Sequence, residues 1–359
     1  MSNPSFQERL EQLNHLDQFN QWCQDLDFDQ WGSTRLAHPV SLTFYETWLA
    51  KHYHGQMKYL AAHLPKKKNP QLIHPRLQSA LVFTHSYVPH PAPSNEKSSL
   101  RIALYAQGQD YHYWLKAKLE SIQQKLEALF PNEVFICATD SAPVLERDLA
   151  YRSRLGWIGK NTCLIHPKKG SLFLVGEILT SLSIAPTPET MHDFCGTCTR
   201  CIDICPTSAL EEPRLLNANK CISYLTIESR ELPPEAIRPQ IKDWFFGCDL
   251  CQTVCPWNQK LFGQNLDTRP QRTVDTDSRQ ELIIELREIL TLSGKKLEKK
   301  YAHSPLQRAG PFGLRRNAIV VAANQNLVEL IPEIREQSRH DKLQDLVDWA
   351  LSQLKNHRV

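Results

Sequence analysis

Four cysteines crowd into the thirteen residues FCGTCTRCIDICP, 194 to 206, of this 359-residue chain. Cys195, Cys198, Cys201 and Cys205 follow C-x2-C-x2-C-x3-C, with a proline after the last. Cys248, Cys251 and Cys255 repeat the later part of that pattern, again ahead of a proline, Pro256. Where a leading cysteine would stand, the second motif has Phe245, and Cys221 is the thiol that could replace it. That makes eight ligands, enough for two [4Fe–4S] cubanes. Successive short turns at this spacing point sulfurs at three corners of one cube. Paired structural zinc sites are the alternative, because zinc also takes four thiolates at C-x2-C spacing. Zinc knuckles rarely place three cysteines in one C-x2-C-x2-C run, however, and do not call for Cys-Pro.

In two-cluster ferredoxins the cysteine before proline ligates the other cluster. By that rule one cluster takes Cys195, Cys198, Cys201 and Cys255, and the other takes Cys205, Cys221, Cys248 and Cys251. Cys23, Cys137 and Cys163 fit neither motif, sit in apolar contexts and read as small core residues. Two neighbouring clusters form a one-electron relay, which needs a terminus where chemistry occurs. The cysteine region offers none.

The elements that would position such a terminus lie on either side. Up to about residue 185, strand-like and helical patterns are mixed. SALVFTHSYVP, RIALYA, EVFICATD and SLFLVGEILT read as strands. ERLEQLNHLDQFNQWCQDL and DYHYWLKAKLESIQQKLEALFP carry apolar residues at helical spacing, the second ending at Pro131. The mixture implies an α/β or α+β domain over 1–185. A ferredoxin-like segment over 186–262 holds eight of the eleven cysteines and would need metal to hold it together. Beyond it, 275–359 reads as all-helical. GLRRNAIVVAANQ and NLVELIPEIREQ look like a short antiparallel pair of the kind stacked in helical repeats. In DKLQDLVDWALSQLKN, Asp341 stands as N-cap and Leu343, Leu346, Val347, Ala350, Leu351 and Leu354 share a face.

ATDSAPVLERDLAYRSRLGWIGKNTCLIHP, residues 138 to 167, is the richest polar stretch outside the cysteines. Asp140 follows a strand, where α/β folds place reactive groups. The competing reading makes it the N-cap of a helix with Pro143 in its first turn. This stretch, with YAQGQDYH, FCGTCTRCIDICPTSAL, KCISYLTIE, FFGCDLCQTVCPWN and GLRRNAIVVAANQ, resembles the epoxyqueuosine reductases, in order from about residue 40 to 325. The resemblance implies a cobalamin-dependent oxidoreductase with two [4Fe–4S] clusters, acting on epoxyqueuosine at the tRNA wobble position to give queuosine. It implies an N-terminal domain like the corrinoid-binding domain of reductive dehalogenases and a HEAT-like C-terminal domain that helps bind tRNA. Asp140 matches the family's proton donor, a role that would need burial to raise its pKa. Lys58, Tyr105, Gly159, Lys160 and Asn161 match stretches associated with the corrin pocket. Gln107 and Gln109 stand where the family commonly has arginines.

The formal charge is only +3, but residues 295 to 316 hold seven Lys or Arg and one Glu. Lys295, Lys296, Lys299, Lys300, Arg308, Arg315 and Arg316 thus form a +6 stretch suited to tRNA phosphates. The polar N-terminus and the broken apolar runs lead us to expect a cytoplasmic protein with no membrane span, a monomer drawing electrons from an unidentified reductant. A corrinoid reductive dehalogenase would share the clusters but not the basic helical tail. A ferredoxin-type carrier with an RNA-binding tail would leave the N-terminal residues idle.

Overall fold

The structure, a computed structural model, describes residues 6–12, 15–87, 98–140, 142–184, 191–262, 266–269, 271–272 and 276–356. Its centre is a four-stranded sheet of β1 (Gln30–Arg35), β2 (Ser79–Ser86), β3 (Phe135–Ala138) and β4 (Phe173–Thr180). The order is β1-β2-β4-β3, and every pairing is antiparallel. Of the two fold readings, α+β is therefore the one observed for this part. β2 is buried along nearly its whole length because both faces are covered. Leu81 and Phe83 face one apolar cluster, and Ala80 and Val82 face another.

Helix α1 (Tyr111–Leu129) lies on the first face with Leu115, Leu119, Ile122 and Leu126. Its close approach needs Gly176, where a Cβ would stand 2.8 Å from Leu119 Cδ1. Helix α2 (Glu146–Arg152) lies on the second face with Leu149 and Ala150. The N-terminal helical pattern is two helices, Phe6–Gln12 and Leu16–Asp25, rather than one. RIALYA gives a strand of only two residues, Arg101–Ile102, paired parallel with Trp244–Phe246.

The C-terminal part is helical: α3 (Thr276–Thr291), α4 (Gly310–Asn324) and α5 (Gln344–Asn356). α4 is buried on nearly all sides, from Leu314 to Ala323, as a central helix must be. Asp341 opens a 3-10 turn without a capping bond, and α5 begins only at Gln344. Phe245 is fully buried in a core shared by Trp244, Phe246, Leu286, Leu314 and Leu346. The missing cysteine of the second motif is thus an apolar anchor. Among the described residues, no helix is long and apolar enough to cross a membrane.

Candidate functional site

Two short helices, Arg200–Asp203 and Leu250–Thr253, carry the two cysteine motifs and pack against each other. All eleven cysteines are free thiols. The eight fall into two neighbourhoods. Cys201 lies among Cys255, Cys195 and Cys198. Cys248 and Cys251 lie among Cys221 and Cys205. These are the same two sets that the crossing rule joins. Burial pushes the Cys201 thiol up to about 11, and those of Cys248 and Cys251 well above their ordinary value, with neighbouring thiols adding to it. Thiols that burial holds back from ionising, as at Cys201, Cys221, Cys248, Cys251 and Cys255, suit a cationic iron core. Among the described residues no His, Cys, Asp or Glu group closes on a single-ion site, and a cubane asks for none.

A hairpin ties both sets to the N-terminal part. Its strands are Trp157–Ile158 and Leu164–Ile165. Lys160 Nζ donates to the carbonyls of Gly196 (2.7 Å) and Cys198 (3.0 Å), and Asn161 Nδ2 donates to that of Cys251 (3.0 Å). Trp157 Nε1 donates to Cys195 Sγ at 3.4 Å. Lys160 and Asn161, expected at the corrin, thus reach the cysteine segments through Nζ and Nδ2, while Asn161 Oδ1 accepts from Cys163 N–H at 3.2 Å. Gly159 belongs to the hairpin's own packing, since a Cβ there would stand 2.4 Å from Ile165 Cδ1. Cys163 is enclosed beside Cys251 and Cys221. Cys23 is a core residue, and Cys137 donates to Gln123 at 2.9 Å.

Asp140 stands two residues past β3 with a left-handed φ of 50°. It does not cap α2, which begins six residues later behind Leu145. Its side chain is 59% exposed, although protein surrounds it on most sides. It is thus the floor of an open cleft. Asp140 Oδ2 accepts from Tyr111 Oη (2.8 Å) and His112 Nε2 (3.2 Å). The other His112 nitrogen meets Asp110 Oδ1 at 2.7 Å. A histidine with a carboxylate on each nitrogen satisfies both only as imidazolium, and the hydrogen bond to Asp140 leads the effects that raise its pKa.

Burial does push the Asp140 carboxyl up, as the sequence led us to expect. The hydrogen bonds from His112 and Tyr111 and the His112 and Arg147 charges outweigh it, and the net shift is downward. In the ligand-free chain Asp140 is thus held toward the carboxylate form, and of its two donors His112 is the cationic one.

Tyr105 is enclosed between Asp140 and Asp249, and its ring lies 6.0 Å from that of Tyr111. Asp249 adjoins Cys248, so one aromatic ring spans the way from the second cysteine set to the cleft. Lys58 is exposed at the start of the helix Lys58–Ala62. Its neighbour Tyr59 borders the cleft, close enough to feel Asp140, with Arg308 over its ring at 6.0 Å. His112, Tyr111 and Tyr59 escaped the sequence reading. The local signal was Asp110, which caps α1 and orients His112 beside it.

The basic stretch divides. Lys295, Lys296 and Lys299 are exposed. Lys300 pairs with Glu288, and Arg308 pairs with Glu228. Arg315 is half-buried and donates to Leu292 O at 2.7 Å. Arg316 is fully buried on α4, donating to the carbonyls of Ser229 (2.6 Å) and Glu231 (2.9 Å). No phosphate reaches it, so its assignment to tRNA is corrected: its charge holds the cluster segment to the helices.

Residues 194–258 match the profile described as 4Fe-4S double cluster binding domain. Residues 67–141 match that described as Epoxyqueuosine reductase QueG, DUF1730. The epoxyqueuosine reductase of Pseudomonas aeruginosa is 33% identical over 92% of this chain and 92% of its own length. That of Escherichia coli is 33% identical over 95% and 90%. Among solved structures, an epoxyqueuosine reductase from Streptococcus thermophilus aligns with TM-score 0.79 and 25% identity over 96% of this chain and 92% of that one. An epoxyqueuosine reductase bound to an epoxyqueuosine-modified tRNA-Tyr stem loop aligns with TM-score 0.77 and 25% identity over 96% and 91%.

Fold and site together define an iron–sulfur redox protein with two [4Fe–4S] clusters beside an acid-floored cleft. The chain belongs to the epoxyqueuosine reductase family.

Proposed function

We propose that this chain reduces epoxyqueuosine to queuosine in tRNA, the last step of queuosine biosynthesis, in the cleft over Asp140. The observation that carries the reading is the juxtaposition of two four-thiol sets with a carboxylate that receives both a phenol and an imidazolium. Cys195, Cys198, Cys201 and Cys255 would hold one cluster, and Cys205, Cys221, Cys248 and Cys251 the other, nearer the cleft. The first lies toward the surface beside Phe194, 48% exposed, where a reductant protein would dock.

The residues present fit a corrin: Asp140 is open to solvent, and the enclosed Tyr105 stands between it and Asp249, next to Cys248 of the second set. Cobalamin bound there would supply reduced cobalt as the immediate electron source for the epoxide. Lys58 and Tyr105 would hold it, with Lys160 and Asn161 acting through the hairpin. The chain's own residues do the rest. The incoming nucleoside excludes water from the cleft, which raises the Asp140 pKa and draws the His112 proton onto it. Asp140 then protonates the departing oxygen. Lys295, Lys296 and Lys299 position the anticodon arm through phosphates.

We read the domains as 1–185 corrinoid-binding and dehalogenase-like, 186–262 ferredoxin-like and 275–359 HEAT-like, in a cytoplasmic monomer. Mass spectrometry of tRNA nucleosides tests the activity. The reconstituted wild type should convert epoxyqueuosine to queuosine, and Asp140→Asn should lower the rate at least about 100-fold while still binding tRNA. No conversion by a wild type carrying both clusters and cobalamin would end the proposal.

A further inference from the structure

Behind Asp140, inside the domain, lies a group of ionisable side chains that the mechanism above does not use. Glu177 sits in the middle of β4, paired with Val82 of β2 and Ala138 of β3. Its neighbours in sequence alternate between the faces: Ile178 points to the α1 side and Leu179 to the α2 side. Glu177 shares the face of Leu179, an apolar one, beneath α2. It is 0% exposed, and neither carboxyl oxygen has a hydrogen-bond partner. Such a group costs several kcal/mol if ionised, so a purely structural position would hold an apolar residue.

Glu146, the first residue of α2, is near enough to act on Glu177 and to be acted on by Asp140. Its carboxyl accepts the backbone N–H of Asp140, and its Oε1 is buried without a partner. Lys67 approaches from the helix Leu64–Lys68, itself buried, donating to Val144 O at 2.6 Å. Arg147, the next residue of α2, is the other cation acting on Glu146.

We propose that Glu146 and Glu177 are a buried acid pair that resupplies Asp140 with protons from within the domain while tRNA covers the cleft. The inference rests on the reduction proposed above. Removing the epoxide oxygen breaks two C–O bonds and forms one C=C bond. It consumes two electrons, supplied singly by a low-potential donor through the clusters, and two protons, with the oxygen leaving as water. The His112 imidazolium accounts for one proton. The second must reach a carboxylate shut off from solvent, and the two acids stand on its inner side.

Their protonation agrees with that role. Burial, with the Asp140 charge adding to it, pushes Glu146 up to about 8. Burial, with Glu146 and Asp140 adding to it, pushes Glu177 well above its ordinary value, and Lys67 only partly opposes this. Both are neutral acids at neutral pH. The folded chain binds these protons more tightly than the unfolded one. Stability is therefore lost as pH rises above the unfolded glutamate value of about 4.3.

The test uses the full chain, with clusters and cobalamin, and the variants Glu146→Gln and Glu177→Gln. Infrared spectra of the wild type, without tRNA, should show carbonyl stretches of protonated carboxyls at neutral pH, one lost in each variant. The Glu146 band should also fade in the wild type as pH rises through about 8. Glu177→Gln should melt at or above the wild-type temperature in mildly alkaline buffer, because it removes a group that resists ionisation. Single-turnover conversion of epoxyqueuosine should fall about tenfold or more in each variant, with tRNA binding and cluster absorption unchanged. Absence of protonated-carboxyl bands in the wild type overturns the proposal, and that measurement needs no variant to fold. Wild-type turnover in both variants overturns it equally. Since the infrared and melting measurements need no substrate, they stand apart from any failure of the proposed activity.

Discussion

Arg316 and Lys296 belong to one basic stretch, yet the fold uses them in opposite ways. Composition makes them equal; burial separates them. Arg316→Ala removes a buried guanidinium from two backbone carbonyls and leaves a cavity, so it should cost about 3–5 kcal/mol in denaturant unfolding. The lysines Lys295, Lys296 and Lys299 should behave otherwise. Replacing all three with Ala should leave stability nearly unchanged and reduce the log–log salt slope of tRNA binding by about 2 to 3. An unchanged slope would place the phosphate contacts elsewhere. His112 was hidden for a related reason: a histidine after Asp-Tyr has no signal of its own until helix α1 turns it onto Asp140. Its raised pKa gives a sign that can be checked. Its contribution to stability is full below its unfolded value of about 6.5 and fades as pH rises through the higher folded one. Thermal melts across that range should show a slope in the wild type that His112→Asn flattens.

At the scale of elements, what could be read from sequence was what local pattern encodes. The apolar run before Asp140 makes β3, and the stripe from Tyr111 to Leu126 makes α1. β1 could not be read, because QWGSTR is neither apolar nor alternating. It is a strand only because β2 pairs with it from Thr84 to Ser79. The cysteine spacing carried the two motifs, and the crossing rule of two-cluster ferredoxins carried the grouping of the thiols. The contacts of the hairpin Trp157–Ile165 were hidden for the converse reason. A compact polar turn looks the same whether it faces a ligand or another loop, and only the fold shows that Lys160 and Asn161 reach Gly196, Cys198 and Cys251. Lys160→Ala combined with Asn161→Ala should therefore hasten loss of iron on exposure to chelator, followed as bleaching of the visible absorbance, with tRNA affinity retained. Trp157→Phe, which removes the N–H donor to Cys195 Sγ, should shift one cluster to a more negative reduction potential.

At the scale of the molecule, the helical domain and the cluster domain share a core. A single core runs from Leu100 and Ile222 through Trp244, Phe245 and Phe246 into Leu286, Leu314, Ile319 and Leu346. Polar ties cross the same boundary: Asn317 Nδ2 donates to Thr226 O (2.8 Å) and Phe245 O (2.9 Å). Arg230 reaches the carbonyls of Ala309 and Arg308, and Gln307 reaches Asp110, the partner of His112. An RNA-binding tail fused to an electron carrier would lack these ties, since a separable module keeps its own core. Cutting the chain after Arg272 would strip the cover from Phe245 and Phe246, both fully buried, and expose a large apolar face. The truncated chain should therefore fail to retain its clusters, with iron content and visible absorbance falling well below those of the full chain under identical anaerobic reconstitution. If it instead keeps both clusters and loses only tRNA affinity, the tail is a separate module and the shared core contributes little. The structure predicts the first result, because α4 packs both on the helix Gly294–Lys300, which carries the lysines, and on Trp244–Phe246 just ahead of Cys248.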